Sequence, residues 1–231
     1  MKNKTFGQKV IEFYRDITPP SLNTKEAKII NPHTDGTARE CIEQFYEYFY
    51  SDTKNRTYVF GINPGRFGSG VTGIPFTDPV ALESSCGIFN SLEKRTELSS
   101  DFVYRFIASW GGARKFYDDF FLTAVSPLGF IKNGKNYNYY DDRSFFQFIR
   151  PFIIDSIKMQ LDFGANRNSV IVFGTGKNKQ IFNEINSEYG FFKNIYVLEH
   201  PRYIMQYKRK FLSEYLENYQ KFFLMTQPKG G

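Results

Sequence analysis

Cysteine and histidine are scarce in this chain: Cys41, Cys86, His33 and His200 are the whole complement among 231 residues. The two cysteines stand far apart and form no C-x-x-C pair. A disulfide framework and an iron–sulfur or C-x-x-C metal site are therefore excluded, and both thiols are expected to be small buried hydrophobes. Long apolar runs are also missing. No stretch approaches the roughly 18 residues a membrane span needs, and the N-terminal MKNKTFGQKVIEFYRDI scatters charges through its apolar positions instead of building a leader. The expectation is an intracellular protein of the bacterial cytoplasm with no membrane partner. There is no internal repeat. The linker-like pieces, Asp16 to Asn31 and Lys132 to Tyr140, are too short to separate domains, so residues 1–231 are expected to form one domain.

What is present argues for a globular fold. Apolar residues make up 41% of the chain and charged residues 23%, interleaved throughout, which leaves neither a disordered nor a fibrous class open. The 26 Phe and 16 Tyr are too many to line one site, so most must be core, although nucleobases stack well on such rings. The net charge is +6, and its distribution is uneven. Arg202, Lys208, Arg209, Lys210, Lys221 and Lys229 face only Glu214 and Glu217 in residues 200–231, so four of the six net charges sit there. A basic face near the C-terminus, suited to a polyanion, follows.

Short β-branched and aromatic runs recur at Thr57 to Ile62, Phe120 to Val125, Ser169 to Phe173 and Ile195 to Leu198. These read as buried parallel strands. Helical spacing predicts helices at about Thr37 to Tyr50, Pro79 to Leu92, Asp101 to Trp110, Asp142 to Phe163, Lys177 to Tyr189 and Gln206 to Met225. The alternation predicts an α/β fold, a three-layer α/β/α sandwich around a short four-stranded parallel sheet. Ligands in such sheets bind beyond the carboxyl ends of the strands, so the segments after each strand matter most. Here these are Asn63 to Phe76, Ser126 to Phe130, Gly174 to Lys179 and His200 to Tyr207.

The first of them, Gly61-Ile62-Asn63-Pro64-Gly65-Arg66-Phe67-Gly68-Ser69-Gly70-Val71-Thr72-Gly73-Ile74-Pro75-Phe76, is longer and more glycine-rich than a simple connection requires. It resembles the first motif of the single-strand-selective monofunctional uracil-DNA glycosylases, Gly-x-Asn-Pro-Gly-x-Phe-Gly followed by Thr-Gly-x-Pro-Phe. Phe121 to Phe130 is similar to that family's second-strand segment and Val170 to Gly176 to its third strand. Leu198-Glu199-His200-Pro201 is similar to the start of its second catalytic motif. Together these cover about residues 57 to 207, and the first fifty or so residues add nothing to the resemblance.

The resemblance implies hydrolysis of an N-glycosidic bond without metal or cofactor. The departing base carries negative charge and the sugar positive charge, so catalysis lies in stabilising that charge and holding a water. Asn63 would position the water, and His200 would donate a hydrogen bond to the base oxygen. Phe76 would stack on the flipped base, with Gly65, Phe67, Gly68 and Ser69 shaping its other side and Pro64 close to the DNA. The partner implied is DNA, single-stranded or mismatched, bound by a monomer, with Lys208 and Arg209 on phosphates.

Two departures stand out. The family's second-strand segment carries an Asn that reads the uracil edge, where this chain has Ala124; Thr123, Ser126 or backbone groups could take over, or the preferred base could differ. The family's His-Pro-Ser-Pro-Arg becomes His200-Pro201-Arg202-Tyr203-Ile204-Met205, so the wedge entering the DNA stack could be Arg202, Tyr203, Ile204 or Met205. Gly174-Thr175-Gly176-Lys177-Asn178-Lys179 is not a P-loop, because Ile171 and Asn178 occupy the positions that need Gly and Ser or Thr. Lys177 and Lys179 could instead hold a DNA phosphate. Two other readings remain: a glycosylase for xanthine or hypoxanthine, and a catalytically silent binder of single strands.

Overall fold

A computed structural model describes residues 3–22 and 27–228. Lys229, counted above in the basic segment, lies outside the described residues, as does part of the stretch between Asp16 and Asn31. The four expected strands are all present: β2 (Arg56–Gly61), β3 (Phe120–Ala124), β6 (Ala165–Phe173) and β7 (Asn194–Leu198). They form one parallel sheet in the order β3-β2-β6-β7. The chain leaves β2 towards β3 on one side and later crosses to β6 on the other. Beyond the carboxyl ends of β2 and β6, segments diverge and leave a crevice, which is where such sheets hold ligands.

Helices cover both faces, as expected of the three-layer α/β/α sandwich. On one side Phe6 of α1 (Phe6–Asp16) packs on Tyr58 and Phe121, Tyr58 Oη donates to Gln160 O in α7 (Arg143–Leu161), and Phe60 meets Phe182 of α8 (Lys177–Tyr189). On the other side Trp110 of α5 (Leu98–Trp110) and Phe223 of α10 (Leu212–Thr226) pack on Phe120, and Tyr219 packs on Phe173. Most aromatic residues are spent in this way. Arg56 is fully buried at the start of β2, where it is tied to both carboxylate oxygens of Asp52 at 2.9 Å and to Tyr117 O at 2.8 Å. A charge so buried needs that pairing. Cys41 and Cys86 are buried free thiols, as expected, and burial pushes the Cys86 thiol up to about 12.

Several elements differ from the sequence-based expectation. The helix expected over Pro79 to Leu92 is only α4 (Pro79–Ser84), ended by Gly87 in the left-handed region at φ +71°. The expected Gln206 to Met225 helix is two, α9 (Pro201–Tyr207) and α10, separated by a 3-10 turn at Arg209–Phe211. Helix α2 (Gly36–Phe49) lies within a residue of its expected span, whereas α1, the short α3 (Ser69–Thr72) and α6 (Ala113–Asp119) were not anticipated. The segment from Lys132 to Tyr140 is no linker. It carries β5 (Lys135–Tyr137), which turns back on β4 (Gly129–Lys132) through Asn133 and Gly134, both at positive φ, and β4 pairs in turn with β1 (Lys28–Ile30).

Candidate active site

The crevice holds a cavity of about 300 Å³, and residues from all four segments identified beforehand except the Gly174 to Lys179 turn line it. Asn63, Pro64, Gly65, Gly68, Ser69 and Phe76 come from the loop after β2, Ala124 from the end of β3, and His200, Arg202 and Tyr203 from the turn after β7.

The far end of the Phe76 ring comes close to the end of β2, which the absence of a side chain at Gly61 allows: a Cβ there would meet Phe76 Cζ at 2.4 Å. Its own backbone sits at φ +58°, a strained conformation for a bulky residue, which the surrounding loop must hold. The ring touches Phe173 edge-on, at 5.4 Å between centroids, and lies 6.0 Å from the His200 ring. Phe76 gives the cavity an aromatic surface, and the buried Phe173 backs it from the core.

Asn63 is held by the small antiparallel sheet. Tyr139 N–H donates to Asn63 Oδ1 at 3.1 Å, and Nδ2 makes long contacts of 3.4 Å with Tyr137 O and Pro64 O. Since a backbone N–H can only donate, the atom facing it must be the amide oxygen. One lone pair of Oδ1 is then occupied and the second is available to a water. Tyr139 is itself braced through Oη to Asn178 Oδ1 at 2.6 Å, and Asn178 Nδ2 donates to Phe173 O at 2.8 Å. Asn178, the residue that rules out a P-loop, is thus a buried strut.

His200 caps α9. Its Nδ1 accepts from Arg202 N–H at 3.2 Å, so the neutral ring carries its proton on Nε2 and presents a donor. The half-buried ring lines the cavity, and burial, helped by the Arg202 guanidinium, pushes the imidazole down to about 4. A neutral donor at this place can stabilise an oxyanion developing within the cavity.

Other expected residues lie elsewhere. Ser126 is fully buried, and its hydroxyl is spent on Leu128 O at 2.8 Å, so it does not face the cavity. Phe67 is also absent from the cavity wall, and its ring carries the guanidinium groups of Arg66 and Arg95 at 4.5 and 3.6 Å from its centroid. Ile204 and Met205 are corrections of a firmer kind. Both are buried in the core, which removes them from the side chains able to enter a DNA stack and leaves Arg202 and the half-exposed Tyr203. Lys177, Lys179 and Arg209 are exposed and Lys208 is half-buried, all outside the cavity wall.

Sequence reasoning missed several lining residues. Glu97 caps α5 through Ser99 N–H and Ser100 N–H and pairs with Arg202 at 3.2 Å, holding that guanidinium at the mouth. Asn136, Asn138, Gln206, Tyr207 and Tyr14 also contribute. Asn133-Gly134 could have been read as a hairpin signal, whereas Glu97 is not one of the residue types that mark a helix N-cap in sequence.

The family model for the uracil DNA glycosylase superfamily matches residues 48–223. A crystal structure of wild-type SMUG2 from Pedobacter heparinus superposes with a TM-score of 0.91 at 41% sequence identity, covering 96% of this chain and 97% of that one. No curated protein sequence matches. With three quarters of its length under the family model and a solved relative that shares both sequence and fold from end to end, the chain belongs to the uracil DNA glycosylase superfamily.

Proposed function

We propose that this protein is a monofunctional DNA glycosylase that flips uracil or a related deaminated base into the cavity and hydrolyses its N-glycosidic bond, leaving an abasic site. The observation that carries the reading is the pairing on one cavity of an amide oxygen with a free lone pair, Asn63 Oδ1, and a neutral imidazole donor, His200 Nε2–H. The amide holds the attacking water at the sugar. The imidazole meets the charge that develops on the base oxygen, and Phe76 supplies the stacking surface. Asn63 and His200 are each oriented by a backbone N–H before substrate arrives, which limits the reorganisation needed during the reaction. A silent binder of single strands would have no use for that orientation.

Single strands and mismatches are the favoured substrates on this reading, because a base there costs least to flip. The protein acts as a monomer and as one domain. Xanthine or hypoxanthine as the main substrate is the second reading, favoured by Ala124, which offers the base edge only a methyl group in the cavity wall. The test is base release from single- and double-stranded oligonucleotides carrying uracil, xanthine or hypoxanthine. The strand should break only after alkali, as a monofunctional enzyme requires. Absence of release from every substrate would overturn the proposal, and breakage without alkali would overturn its monofunctional part.

A further inference from the structure

One part of the cavity wall comes from outside the span of the family match. Tyr14, in α1, precedes residue 48, yet it lines the same cavity as Asn63 and His200. Its ring is stacked on His33 at 4.0 Å between centroids and 16° between planes. His33 in turn lies against Gly73, where an added Cβ would come within 3.4 Å of His33 Cε1. The Tyr14 hydroxyl stands beside those of Thr123 and Tyr46. This group therefore closes the cavity where the loop after β2 meets the end of β3, next to Ala124.

The polar groups behind this wall are unbalanced. Thr123 Oγ1 donates to Gln160 Oε1, while Tyr46 Oη and Gln160 Nε2 are buried with no hydrogen-bond partner among the described residues. Buried donors without acceptors are costly. Tyr46 Oη makes no hydrogen bond in the resting protein, and a small movement that let it donate to the neighbouring Tyr14 oxygen would satisfy its proton and leave the Tyr14 O–H to be donated onward. A keto oxygen accepts that proton, and an exocyclic amine does not.

We propose that Tyr14 is a specificity-determining residue whose hydroxyl donates to a keto oxygen on the edge of the flipped base, at the end of the cavity where Ala124 provides no polar group. The proposal rests on the glycosylase reading above. Deamination replaces an amine by a keto oxygen in every case, so one directed donor distinguishes deaminated bases from their parents without committing the enzyme to a single ring. An asparagine side chain would fix both a donor and an acceptor, and so one edge pattern.

The test compares wild type, Tyr14→Phe, Ala124→Asn and the double variant in single-turnover release of uracil, xanthine and hypoxanthine from single strands, together with affinity for an abasic-site oligonucleotide. Tyr14→Phe should lower release of all three bases at least tenfold while abasic-DNA affinity stays within twofold, since the product lacks the base edge. Adding Ala124→Asn to Tyr14→Phe should restore uracil release more than release of the purines. Tyr46→Phe, which removes the donor behind Tyr14, should lower release about threefold and serves as the reading if Tyr14→Phe does not fold. Unchanged release in Tyr14→Phe, or an equal loss of abasic-DNA affinity, would overturn the proposal. Inactivity of the wild type on all three bases would instead overturn the glycosylase reading, and the proposal with it.

Discussion

The backbone N–H of Arg202 donates to Nδ1 of His200 at 3.2 Å, so the first turn of the helix that His200 caps also selects its tautomer. Across the cavity, Tyr139 N–H does the same for the amide of Asn63. Asn63→Ala and His200→Ala should each lower single-turnover base release at least tenfold, about 1.4 kcal/mol of barrier. Wild-type rates in both variants, with circular dichroism unchanged, would remove these residues from the mechanism.

The two histidines make a pH prediction with a definite sign. Burial and the Arg202 charge push His200 down to about 4, and burial pushes His33 down to about 3. In the unfolded chain both take up protons near 6.5, where the folded protein does not. Stability is therefore full above pH 6.5 and is lost as the pH falls from there towards 4. Thermal midpoints should be flat between pH 7 and 8 and decline below 6.5, less steeply in His33→Gln relative to its own plateau. Base release should show no inflection near 6.5, because the neutral donor persists through that range.

Tyr203 and Ile204 are neighbours with opposite fates, one half-exposed at the cavity mouth and the other wholly buried. Tyr203→Ala should leave stability within about 0.5 kcal/mol but slow release from paired DNA more than from single strands, as loss of a stacking wedge would. Ile204→Ala should cost about 2–5 kcal/mol of stability. Paired and unpaired substrates assayed beside denaturant melts distinguish the two. Equal effects of Tyr203→Ala on both substrates would assign the wedge to Arg202.

Lys208 and Arg209 mark the break between α9 and α10. Reversing both charges should weaken binding of lesion and normal DNA alike and flatten the dependence of affinity on salt, since phosphate contacts release counterions whatever the sequence. An unaltered salt slope would place this turn away from the DNA.

The four strands and the loop from Gly61 to Phe76 were legible because buried parallel strands read as short apolar runs and the loop carries chemistry in its residue types. What was not legible depends on contacts distant in sequence. Helix α1 has a readable start, since Thr5 and Gln8 cap each other reciprocally, but nothing in residues 6–16 shows that Tyr14 reaches a cavity built mainly from residues far along the chain. The strands of the antiparallel sheet are three or four residues long, too short to display an alternation. Ile204 and Met205 looked as able as Tyr203 to enter DNA because a seven-residue helix gives too little periodicity to tell its buried face from its exposed one.

The strut from Phe173 through Asn178 and Tyr139 to Asn63 gives the orientation of one side chain an address on the backbone. The amide proton of Tyr139 is the one that fixes Asn63, so its rate of exchange with deuterium in solvent measures how often the amide of Asn63 is released. A substitution such as Asn178→Ala, in the first turn of α8, should then be visible twice, as faster exchange at Tyr139 and as slower chemistry at a bond that residue never touches.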